Sequence, residues 1–105
     1  MADRKIKFIC NVVKWFDKVN GNTYHSVRVT RLRDGKTITT KTPYQYGYGE
    51  QYRQTALALM AQEKWLPVKY RGEREHRAYE RENNYPIMWE VRDGLKRDMI
   101  ANGTL

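Results

Sequence analysis

Asn20-Gly21 and Asp34-Gly35 stand 14 residues apart in the chain. Each dipeptide suits a tight type I′ hairpin turn, whose two central positions both need φ > 0. The segments around them, Lys5–Lys18, Asn22–Arg33 and Lys36–Thr42, are rich in Val, Ile, Thr, Tyr, Phe and Trp, as strands are. This predicts a three-stranded antiparallel β-meander whose register follows from the turns.

A two-residue turn at Asn20-Gly21 places Val19 opposite Asn22, Phe16 opposite His25, Lys14 opposite Val27, Val12 opposite Val29 and Cys10 opposite Arg31. With Ile6 and Phe8 these make one largely apolar face, the expected core side. The other face pairs Asp17 with Tyr24, Trp15 with Ser26, Val13 with Arg28, Asn11 with Thr30 and Ile9 with Leu32. The second turn then sets Arg28 beside Lys41, Thr30 beside Thr39 and Leu32 beside Thr37. Two arrangements fit this mixed face: an open surface that stacks bases and neutralises phosphates, or a second buried face under a helix.

Beyond Pro43 the loop Tyr44-Gln45-Tyr46-Gly47-Tyr48-Gly49 carries three tyrosines in five positions. Such amphipathic rings suit bases or pockets on a partner, and equally the packing of the loop on a helix end. An Ala-rich helix follows from Glu50 to Trp65, with Tyr52, Ala56, Leu59 and Met60 as its buried stripe and Pro67 beyond its end. Residues 69–84 alternate Arg71, Arg74, Arg77 and Arg81 with Glu73, Glu75, Glu80 and Glu82, a charged connector expected to be a solvated helix or hairpin. Asn84-Tyr85-Pro86 reads as a helix start, and Ile87, Val91, Leu95 and Met99 recur every fourth residue up to Asn102-Gly103. The expected fold is therefore α+β: meander, Ala-rich helix, connector, and a C-terminal helix packed on the sheet, as one domain over residues 1–105.

Twenty Lys and Arg against twelve Asp and Glu give a formal net charge of +8. That balance suits a polyanion or an acidic protein surface. One cysteine excludes an internal disulfide, and Cys10 in an apolar strand reads as a small buried hydrophobe. His25 and His76 are the only histidines, so no zinc motif can be assembled. Ser26, the only serine, falls on the strand face opposite His25. No enzyme activity, cofactor or metal is expected. No run approaches the ~18 apolar residues of a membrane span, and the start of the chain does not resemble a signal peptide; a cytoplasmic location is the expectation.

The β-strand order with a Gly47-x-Gly49 entry into a helix bearing Ala56, Ala58 and Ala61 resembles the second half of a double-stranded-RNA-binding domain. The chain lacks that family's leading helix and has Glu50-Gln51-Tyr52-Arg53 where the family starts its helix with Lys-Lys-x-Ala-Lys, so its function is not carried over. Tyr44–Gly49 and Glu82-Asn83-Asn84-Tyr85-Pro86-Ile87-Met88-Trp89 resemble segments of small uncharacterised bacteriophage proteins. That resemblance implies a nucleic-acid-binding accessory protein or an inhibitor of a host defence component. The residues expected to serve either role are Arg28, Arg33, Lys36 and Lys41 for phosphate, and Trp15, Tyr24, Tyr44, Tyr46 and Tyr48 for stacking or as anchors on a protein. DNA or RNA is the expected partner, an acidic protein surface the alternative, and a homodimer is allowed.

Overall fold

A computed structural model describes residues 5–70 and 75–105. Arg71, Glu73 and Arg74 of the charged connector lie outside the described residues, as do the side chains of Glu75 and His76. The fold is α+β, with a mixed sheet of five strands and three helices. The strands are β1 (Phe8–Asp17), β2 (Asn22–Arg31), β3 (Lys36–Thr39), β4 (Gln45–Tyr46) and β5 (Ile87–Asp93); the helices are α1 (Gln51–Gln62), α2 (Glu75–Glu82) and α3 (Lys96–Asn102). A short 3₁₀ turn covers Val68–Tyr70. The strand order is β3-β2-β1-β5, and β4 pairs with β2 beyond β3.

Both hairpins differ from expectation in the same way. Observed pairs are Trp15 with Tyr24, Val12 with Val27, Cys10 with Val29 and Phe8 with Arg31, and Arg28 with Thr39 and Thr30 with Thr37. Each register is displaced by two residues because each loop has four residues rather than two. Only the last of the four, Gly21 (φ 68°) and Gly35 (φ 72°), takes a left-handed conformation. Their N–H groups donate to the Asp17 and Arg31 carbonyls at 2.7 and 2.8 Å. Aspartates shape both loops: Asp17 accepts from the Val19 N–H (3.0 Å) and Asn20 Nδ2 (2.8 Å), and Asp34 from the Lys36 N–H (3.1 Å). A shift of two preserves the alternation of faces, so the inner and outer sets survive while the partners change. Cys10 thus faces Val29 and not Arg31, and burial pushes its thiol pKa up, which removes any case for a reactive cysteine.

On one face Phe8, Cys10, Val12, Val27, Val29 and Ile38 pack under α1, which contributes Tyr52, Ala56, Leu57, Leu59 and Met60. Phe16, at the far end of that face, is half exposed. The helix ends earlier than Trp65. Lys64 at φ 61° closes it, with the Trp65 N–H donating to the Met60 carbonyl (2.8 Å) and the Lys64 N–H to Ala61 (3.0 Å), the paired bonds of a Schellman cap.

The second half departs furthest from the sequence reading. Asn84-Tyr85 ends a helix instead of starting one. Asn84 (φ 56°) and Tyr85 (φ 52°) are left-handed, and the Tyr85 N–H donates to Glu80 O at 2.6 Å, which caps α2. Ile87–Asp93 is a strand, parallel to β1 with Cys10 beside Trp89 and Val12 beside Val91. Of the expected C-terminal helix only α3 remains, lying on the opposite face from α1. It buries Met99 there with Val13 and Ser26. Asn102 Nδ2 donates to Asn11 O (3.0 Å) and Ser26 Oγ (3.1 Å). Arg28 closes the helix end, donating to Asn102 O (3.2 Å) and Thr104 O (2.6 Å). Among the described residues, no helix is long and apolar enough to cross a membrane.

Candidate nucleic-acid interface

The expected site residues separate into two groups at opposite ends of β2. At its start lie the aromatics. Trp15 stacks on Tyr24 (centroids 5.7 Å, 24° between planes), and Tyr24 meets Tyr44 and Tyr46 edge-on, each at 5.6 Å. The Lys96 ammonium lies 5.5 Å over the Trp15 ring. The rings therefore spend their faces on one another, and this is a packed cluster more than an open stacking surface. Tyr46 (63 % exposed) and Tyr48 (77 %) are the exceptions. Arg28 does not belong to a phosphate row, since its guanidinium holds the end of α3 and its strand partner is Thr39, not Lys41. Lys41 is exposed, just past the end of β3.

At the other end of β2, Lys36 and Arg33 flank the second turn, about 23 Å from Tyr24 at the rise of a strand. Here the structure assembles what the sequence reading missed. A groove of about 730 Å³ runs between the chain entering β1, the end of β2, the segment after α1, and α2. Lys5, Lys7, Arg31, Arg33 and Lys64 line it, and among the described residues no carboxylate does. Its apolar wall is Phe8, Trp65, Leu66 and Tyr79. Phe8 stacks on Trp65 (5.9 Å, 15°), and the Arg31 guanidinium sits 4.5 Å from the Trp65 centroid. Arg31 is fixed by Asp34 (Nε to Oδ1 3.1 Å, terminal nitrogen to Oδ2 2.6 Å). That pairing, with the Lys36 N–H bond, holds the Asp34 pKa at about 2. Arg33 also lies close enough to Asp34 for its charge to help lower that pKa, and Lys5, Lys7 and Lys64 add further positive charge to the groove. Burial raises the Tyr79 pKa to about 12, with Tyr70 and Glu80 adding to it, so its hydroxyl stays protonated.

Lys5 and Lys7 alternate with Ile6 and Phe8, a pattern readable in the chain. Lys64-Trp65 carried no such signal, because only the length of α1 brings it there. The helix's 12 residues span about 18 Å, close to the span of β2 from His25 to Arg31. Its start is held at the tyrosine end by His25, whose Nδ1 lies 3.3 Å from Gly47 O and Nε2 2.8 Å from Thr55 Oγ1. Its end therefore falls beside Phe8 and Arg31.

A second, smaller cleft of about 350 Å³ lies between α1 and α2, lined by Arg53, Arg77 and Arg81 with Glu50, Glu80 and Tyr85. Its buried carboxylate is satisfied: Glu80 accepts from Trp89 Nε1 (2.6 Å) and Arg53 (2.9 Å). Among the described residues no group of three or more His, Cys, Asp or Glu is placed to hold a metal ion. No family model, curated protein or solved structure matches the chain.

Proposed function

We propose that the protein is a non-enzymatic nucleic-acid-binding protein whose interface is the basic groove beside Trp65. The observation that carries this reading is that five Lys and Arg side chains converge on a groove whose described lining holds no carboxylate. Among the described residues Lys5, Lys7, Arg33 and Lys64 share that lining with no acidic residue, and clustered cations are what a phosphate backbone recruits. The groove's volume suits one or two nucleotides of a single strand better than a duplex. Its aromatic wall gives a base an apolar surface, and Arg31, whose guanidinium lies 4.5 Å from the Trp65 centroid, offers a second planar group on which a base can stack. An accessory role, including one encoded by a bacteriophage and exercised in a host cytoplasm, fits such backbone-dominated binding.

Fluorescence anisotropy with labelled single- and double-stranded DNA and RNA across a salt series tests this. Neutralising four phosphates on a single strand gives a slope of log affinity against log salt of about −3. Replacing Lys5, Lys7, Arg33 and Lys64 together by Ala flattens that slope, while Trp15→Ala and Tyr24→Ala leave it unchanged. Absence of binding at low salt rejects the proposal. A second reading rests on the exposed Tyr46 and Tyr48: a protein-interaction module, as a defence inhibitor would be. Its signature is partner binding nearly insensitive to salt and lost in Tyr46→Ala and Tyr48→Ala.

A further inference from the structure

The sheet ends on one side in β5, a seven-residue strand that no described strand pairs beyond. We propose that β5 joins the β5 of a second copy of this chain, antiparallel about Val91, to make one continuous sheet through a symmetric dimer. The direction of the backbone groups comes first. The Gly94 N–H donates to Lys14 O (2.9 Å), and Pro86 O accepts from the Phe8 N–H (3.2 Å). Even-numbered positions therefore face β1. Trp89, Val91 and Asp93, the odd positions between, turn their N–H and C=O groups outward. These three outward positions, which no described strand pairs, are a template for another strand.

Charge selects the partner and the register. Outward-facing residues must meet outward-facing residues to exchange hydrogen bonds. A pairing centred on Glu90 sets that carboxylate against its own copy, which is repulsive. One centred on Trp89 sets Glu90 against Met88 and leaves Arg92 without an opposite charge. Centred on Val91, the two strands place Glu90 opposite the second copy's Arg92, twice over by symmetry, with Val91 on Val91 and Trp89 opposite Asp93. Met88 then lies across from Gly94, where no side chain competes for space. Charged residues usually guard an edge strand, but opposite charges two positions apart make this edge complementary to itself. Val91 (39 % exposed) and Met88 (47 % exposed) are the apolar groups that such a seam covers. Over β1 and β2 lie α1 and α3, while α2 meets β5 at Trp89, whose Nε1 donates to Glu80 (2.6 Å), and the two-fold axis keeps like faces together.

Sedimentation equilibrium of the full chain from micromolar to about millimolar concentration tests the dimer. The expected result is a reversible monomer–dimer equilibrium. Glu90→Arg and Arg92→Glu each raise the dimer dissociation constant about tenfold, since two attractive pairs become two repulsive ones. The double exchange, Glu90→Arg with Arg92→Glu, restores the dimer because the pairs are only reversed. Val91→Pro removes an outward N–H that β1 does not use, and a proline is tolerated there; it abolishes the dimer with an unchanged circular-dichroism spectrum. A chain that stays monomeric throughout, or a dimer that survives Val91→Pro, overturns the proposal. The nucleic-acid proposal is independent of this result, because no β5 residue is among those that line the groove.

Discussion

Lys64 occupies a conformation that glycine would adopt without strain. Its φ of 61° closes α1, and a non-glycine residue there costs roughly 1–2 kcal/mol. The same residue lines the basic groove. Strain retained at a position that could be relieved by one substitution is a mark of use. Lys64→Gly is expected to raise stability by about 1 kcal/mol in urea denaturation. It is also expected to weaken single-strand binding and to reduce the magnitude of the salt slope by about 0.7. Unchanged binding would show that Lys64 touches no phosphate. Sequence reading had no access to this residue's role, because the conformation of a helix cap and the destination of the chain after it are both set by tertiary contacts.

Among the elements, α3 depends most on its surroundings. Seven residues do not sustain a helix in water, so its stability comes from Met99 beneath it and from Arg28 and Asn102 at its end. Arg28→Ala removes two charge-assisted bonds to backbone carbonyls, an expected loss of about 1.5–3 kcal/mol. Hydrogen exchange should report it as faster exchange of the Met99–Gly103 amides than of the β1–β2 ladder. The element that misled the sequence reading is β5. Apolar residues every fourth position satisfy a helix, but four is also twice the period of a strand, and Ile87, Trp89 and Val91 alternate equally well. What decides is the partner strand, and β1 lies nearly the whole chain away. The hairpins show the converse: Asn20-Gly21 and Asp34-Gly35 mark turns correctly, while each turn is four residues long, with Asp17 bonding loop amides and Asp34 the first amide of β3, and the register moves by two.

The whole molecule measures 46 × 27 × 27 Å, and the length of β2 separates the aromatic cluster from the basic groove. That separation is why a residue list drawn from both ends could not be one site. The alternating faces and the basic character of the first half were readable locally; the convergence of Lys5, Arg33 and Lys64 was not, because it joins three segments through the length of a helix. Stability against acid should fall in two stages. His25, buried and near Lys14, has its pKa lowered from the ordinary 6.5. The unfolded chain therefore binds the proton more readily, so stability is complete above about 6.5 and declines as pH falls toward the folded value. Asp34, held at about 2 against an ordinary 3.8, contributes stability above 3.8 that is lost between there and about 2. Urea midpoints measured from pH 8 to pH 2 test both steps, and His25→Gln should flatten only the first.

The parallel pairing of β1 with β5 also dictates an order of events. Asn11 and Glu90, which touch across it, are 79 residues apart in the chain. At roughly 5–20 residues per second on the ribosome, β1 waits for roughly 4–16 s after its own synthesis before β5 exists. Through that interval one side of the apolar strand Phe8–Val13 has no partner strand. The nascent chain is thus most open to aggregation, and most in need of a chaperone, at the strand that later becomes the centre of the sheet.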